Sequence, residues 1–129
     1  MARPSFLSEA LGRPEPHYTL QNVRSGRLVA SQVELALDSP SRRRGLLGRD
    51  AFDKGSALVI APCAAIHTFF MRFAIDVVFV TRDGRVLKTY SALARSRIAF
   101  SIGAFAVIEL PVGAIAESQA TPGDMMRLS

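Results

Sequence analysis

His67 and Asp76 stand in a stretch, Ile66 to Val80, whose only other charged side chain is Arg72. An imidazole oriented by a carboxylate is a general acid–base pair, and in a pocket it would support hydrolase-like chemistry. Cys63 and His67, four apart, could make a metal site with Asp76 or Glu109, and His67 and Asp76 could then serve a metal-assisted reaction. A structural reading competes with both. Burying a carboxylate without a partner costs several kcal/mol, roughly. A buried Asp76 must therefore be held by Arg72, Arg44 or a run of backbone N–H groups, with His67 filling space. The metal reading is weak, because zinc takes three or four ligands at recognisable spacing. This chain has two histidines and one cysteine, and His17 sits in a Pro-rich leader. No metal and no cofactor is expected. Cys63, among Ala and Ile, is expected to behave as a small hydrophobe with a raised pKa rather than as a nucleophile.

Arg42, Arg43 and Arg44, followed by Arg49, form the one dense basic cluster. Two of them could grip a phosphate or carboxylate at the start of a helix. Three consecutive helical residues cannot all face one ligand. The alternative is a solvated face from which Arg44 alone turns inward to Asp76 or Glu109. The chain has no P-loop, no Gly-x-Gly-x-x-Gly, no Gly-x-Ser-x-Gly and no Cys-x-x-Cys. The enzyme classes with those local signatures are unsupported.

The elements that must position these residues are short. Tyr18 to Val23 can form a strand, and Ser25-Gly26 a turn. Val29, Val33, Leu35 and Leu37 then recur with the period of two of a half-buried strand. Asp38-Ser39-Pro40 opens a helix, a capping side chain followed by Pro in the first turn. That helix should carry Arg42 to Leu47 and stop at Gly48. Ala57 to Ile60, Ile66 to Phe70, Ile75 to Val80 and Ala104 to Leu110 read as buried strands. Asp83-Gly84 is a hairpin signal between Val80 and Val86. Val112 to Glu117 fits one helical turn or a loop, and Met125 to Leu128 a last strand. The expected fold is α+β, mainly β: a curled, largely antiparallel, barrel-like sheet with one or two short helices, one lying across an opening.

Five groups occur in order: Arg44-Gly45-Leu46-Leu47-Gly48-Arg49; Ile66 to Val80; Asp83-Gly84-Arg85-Val86; Val107 to Gly113; and Gly123-Asp124. This ordered set resembles the bacterial and archaeal family known as domain of unknown function 192, over roughly Thr19 to Leu128. The resemblance implies a compact β-rich domain and no reaction. The family pattern has Met at Leu47 and Pro at Ala74, departures that remove no titratable group. Many relatives carry Trp at the position of His67, which implies an aromatic body there rather than a general base. Relatives are often exported, whereas Met1 to Pro16 lacks the apolar core of a signal peptide, so a cytoplasmic location is expected.

At 129 residues the chain is expected to be one domain, 17–129, behind a flexible leader, 1–16. The net charge is +5. Two lysines among 16 basic residues leave 14 arginines, spread from Arg3 to Arg127. Nucleic-acid binding through an Arg-rich face would need Arg24, Arg27, Arg95 and Arg97 to make one surface. A scattered excess of this size favours solubility instead. The longest run without a charge, Gly55 to Met71, is 17 residues and contains Pro62, so no membrane span is expected. The function expected first is binding of a small ligand, anionic or neutral, or of a protein partner. The cleft would lie between the helix at 40–48 and the sheet, lined by Arg44, His67, Phe69, Met71 and Asp76.

Overall fold

A computed structural model describes residues 3–13 and 17–129. Nine strands and three short helices follow in order: α1 (Ser8–Leu11), β1 (Tyr18–Asn22), β2 (Leu28–Ala36), α2 (Ser39–Arg44), β3 (Ser56–Ile60), β4 (Ala65–His67), β5 (Ile75–Val80), β6 (Val86–Leu93), β7 (Ile98–Phe100), β8 (Ala106–Leu110), α3 (Ala114–Ser118) and β9 (Met126–Leu128). Seven strands form one sheet in the order β6-β5-β8-β3-β2-β1-β9. All its pairs are antiparallel except β2 with β3. The sheet curls until its edges meet along a short seam. There Val86 N–H donates to Asp124 O, Gly123 N–H to Val86 O and Met126 N–H to Gly84 O, each at 2.8 Å. β4 and β7 make a separate two-stranded ribbon. The barrel-like, mainly β architecture expected from the sequence is the one observed.

The central strands β5 and β8 are buried along their whole length, and β3 at all but its first residue. That is why their sequences read as continuous apolar runs rather than alternations. The two faces of this sheet serve two cores. One face closes around Leu20, Val33, Val59, Val78, Ile108, Leu110 and Ile115, with Leu128 beside them. The other carries Leu58, Ile60, Ile75, Val77, Phe79 and Val107, covered by Leu46, Met71 and Ala99.

Several local outcomes differ from expectation. α2 stops at Arg44, not at Gly48, because Gly45 takes φ +48° and leaves the helix while its N–H still reaches Ser41 O. Leu46 then drops into the second core. The strand expected over Ile66 to Phe70 ends at His67. The Thr68 hydroxyl donates to Ala94 O at 2.7 Å and accepts from Arg97 N–H at 2.8 Å, which turns the chain away. β7 has no alternation long enough to mark it. Within the expected leader, α1 places Leu7 and Ala10 against the first core, and Phe6 N–H donates to Arg82 O. Met1, Ala2 and Pro14 to Pro16 lie outside the described residues.

Candidate functional site

Asp76 and Glu109 lie on adjacent strands but face opposite sides of the sheet. Asp76 is opposite Leu110 in the register, and Glu109 is opposite Val77. Each carboxylate therefore belongs to a different core.

Asp76 is buried and saturated by backbone donors. Its Oδ1 accepts from Ala92 N–H at 2.8 Å, and its Oδ2 from Gly113 N–H at 3.1 Å and Ile115 N–H at 3.0 Å. Gly113 is the residue before α3 and has no side chain with which to cap it. A carboxylate from β5 does that work, satisfying donors that a helix start otherwise leaves orphaned. The third bond pins Ala92 beside the irregularity in the β5–β6 register. Of the partners weighed for Asp76, backbone N–H groups are the ones it has.

Glu109 is the reverse case. Only 3% of it is exposed, and among the described residues its Oε1 has no hydrogen-bond partner. Burial pushes its carboxyl up to about 7, with the charge of Arg49 pulling weakly the other way. Arg49 is already committed to Glu34 through Nη1–Oε1 at 3.1 Å and Nη2–Oε2 at 2.8 Å. A buried acceptor left open costs about 1–3 kcal/mol.

Glu109 lies in the lining of a cleft of about 540 Å³ between α2 and β4, with Ile60, Leu46 and Met71. Arg42, Arg43 and Arg44 line it from the helix, and Cys63, Ala65 and His67 from the ribbon. That volume is in the range of small-molecule sites. Arg42 is tied to Leu37 O at 2.8 Å and to Ser39 Oγ at 3.1 Å. Arg43 and Arg44 are exposed and make no side-chain hydrogen bond among the described residues. Gly45 passes close over Glu109: a Cβ added there would sit 3.6 Å from Oε1. The Cys63 thiol donates to Ala65 O at 3.1 Å, and burial, the largest influence, raises its pKa. It is held as a thiol, not as a thiolate nucleophile.

The expected site residues thus separate. Arg44, His67 and Met71 line the cleft. Asp76 does not, and the pairing of His67 with Asp76 is not formed: both Asp76 oxygens are taken by backbone, and the His67 ring lies 5.6 Å from that of Phe69. Phe69 is exposed and is not among the lining residues. Arg44 does not turn inward to a carboxylate. Among the described residues no three His, Cys, Asp or Glu side chains come together. The arginines named for a nucleic-acid face are not all free, since Arg24 is bonded to Asp124 at 2.6 Å and holds that carboxyl below its ordinary range. Glu109 is the residue that sequence reasoning undervalued. It faces opposite to Ile108 and Leu110, and on a strand covered on both faces that side is not solvent.

Two solved structures share this fold. One, from Novosphingobium aromaticivorans DSM 12444, is of a protein of unknown function; it is 24% identical, with a TM-score of 0.73 over 85% of this chain and 82% of that one. The other, from Sinorhizobium meliloti 1021, is described as a candidate transcription regulator; it is 22% identical, with a TM-score of 0.74 over 85% and 90% of the two chains. At those identities the likeness is one of fold. No curated protein matches this chain. Among the described residues, no helix is long and apolar enough to cross a membrane. The model of DUF192, described as Uncharacterized ACR, matches residues 20–128, and the chain belongs to that family.

Proposed function

We propose that this domain binds a small molecule carrying both an anionic group and a hydrogen-bond donor, in the cleft between α2 and β4. The observation that carries the reading is the buried, unpartnered Oε1 of Glu109 in the cleft lining. A ligand hydroxyl or amine would fill that open acceptor, and the gain would include removal of the cost of leaving it unmade. Arg43 and Arg44, without side-chain partners among the described residues, suit a phosphate or carboxylate at the cleft mouth. His67 supplies a further polar edge. Hydroxylated anions such as sugar phosphates and hydroxy acids have both features. A cytoplasmic setting accompanies this reading, supported by one free thiol and no disulfide framework.

The test is a thermal-shift series with sugar phosphates and hydroxy acids, and with inorganic phosphate as a probe of the arginines alone. A hydroxylated anion at a hundredfold excess over its Kd is expected to stabilise the protein by about 2.7 kcal/mol. Glu109→Leu, which has no acceptor, and the double variant Arg43→Ala/Arg44→Ala should each lose most of that gain. No rise with any of these compounds, or a rise that both variants retain, would remove the cleft as the site.

A further inference from the structure

The β4–β7 ribbon presents exposed apolar side chains on its outer face, with Lys88 Nζ 5.0 Å from the centre of the Phe100 ring. Its register sets Ala65 opposite Phe100, Ile66 opposite Ala99 and His67 opposite Ile98. Ala99 is buried and Ile66 half-buried, so one face lies on the second core. Ile98 and Phe100, on the other face, are 66% and 52% exposed. The turns at the two ends of the ribbon extend the patch with Phe70 and Ile102, which are 88% and 91% exposed. Phe70 also adopts φ +66°, a left-handed conformation unfavourable for a bulky side chain. Large apolar side chains gathered on one ribbon and its flanking turns mark an interaction surface rather than ordinary exposure.

The charges around the ribbon indicate what meets it. Between Asp83 and Glu109 there is no acidic residue, and Lys88 Nζ donates to Phe100 O at 3.2 Å beside β7; Lys54 and Arg72, before that interval, are paired with Glu117 and Asp50. Arg95 and Arg97, in the segment leading into β7, are exposed and without an ion pair among the described residues. A second copy meeting this face across a twofold axis would bring Arg against Arg.

We propose that the ribbon docks on the surface of an anionic lipid bilayer, with Phe70, Ile98, Phe100 and Ile102 entering the headgroup boundary and Arg95 and Arg97 among the lipid phosphates. Apolar insertion and attraction to anionic lipid add in such peripheral binding, and neither requires a spanning segment.

Co-sedimentation with vesicles of phosphatidylcholine, with and without phosphatidylglycerol, tests this. The protein should pellet only with phosphatidylglycerol present and be released by high salt. Phe70→Asn combined with Ile102→Ser should weaken partitioning tenfold or more. Asn tolerates the left-handed backbone, and both side chains are solvent-facing, so melting temperature should hold. Arg95→Ser combined with Arg97→Ser should weaken it about fivefold per arginine. Failure to pellet with anionic vesicles, or undiminished binding by either variant, would overturn the proposal. So would a wild-type dimer in analytical ultracentrifugation that the Phe70 and Ile102 substitutions dissociate, since the patch would then belong to self-association.

Discussion

At the scale of single residues, two buried carboxylates differ in whether their oxygens have partners. Asp76 accepts three backbone hydrogen bonds, so its role is architectural. Asp76→Ala is expected to cost about 2–4 kcal/mol in urea denaturation, by stranding donors at the start of α3 and at Ala92. Asp76→Asn should cost less than Asp76→Ala, because its amide oxygen retains one set of acceptor bonds, while its NH2, itself a donor, leaves the other set unmet. A stability change near zero for Asp76→Ala would mean those donors are satisfied without it. Both residues stand out in the sequence as charges in apolar runs. Their partners do not, because a partner depends on which face a side chain takes and on what covers that face. The His67–Asp76 pairing is not formed for that reason, nor is an inward pairing of Arg44 with Glu109.

At the scale of elements, turns and seams decide more than strand propensity does. The strands β5 and β8, and the hairpin at Asp83-Gly84, were legible because apolar runs and a two-residue turn signal are local. The β4–β7 ribbon was not: three-residue strands carry no period, and their pairing joins positions more than 30 residues apart. The end of α2 turned on the φ of Gly45 rather than on Gly48, and both are glycines. The barrel seam depends on Gly84, whose φ is +93° and where an added Cβ would meet Met126 O at 2.6 Å and Phe6 Cβ at 3.1 Å. Gly84→Ala is expected to destabilise by about 2–4 kcal/mol, since seam backbone must shift as well as strain. Gly26 has φ +72° but open space around it, so Gly26→Ala should cost only about 1–2 kcal/mol, the left-handed strain alone. Equal melting temperatures for the two variants would contradict the seam.

At the scale of the whole molecule, a curled sheet buried on both faces gives this small chain two cores, and the second core leaves one carboxylate unpaired beside a basic cleft. The binding reading rests on that carboxylate. The fold was readable because its central strands are apolar along their length and its resemblance to one family spans nearly the whole chain. The cleft was half readable: the helix, its arginines and Glu109 could be named, but that Glu109 lies in the cleft lining without a partner, and Asp76 outside it, could not. The most direct measurement is the unfolding free energy of wild type and Glu109→Gln as a function of pH. Burial raises the folded carboxyl to about 7 from an ordinary 4.5, so its contribution is fully present below about pH 4.5 and is lost as pH rises through 7. The two proteins should therefore be nearly equal near pH 4, and the variant more stable by about 3 kcal/mol at pH 8. Parallel curves across that range would show that Glu109 is paired or solvated, and would contradict the account of the cleft.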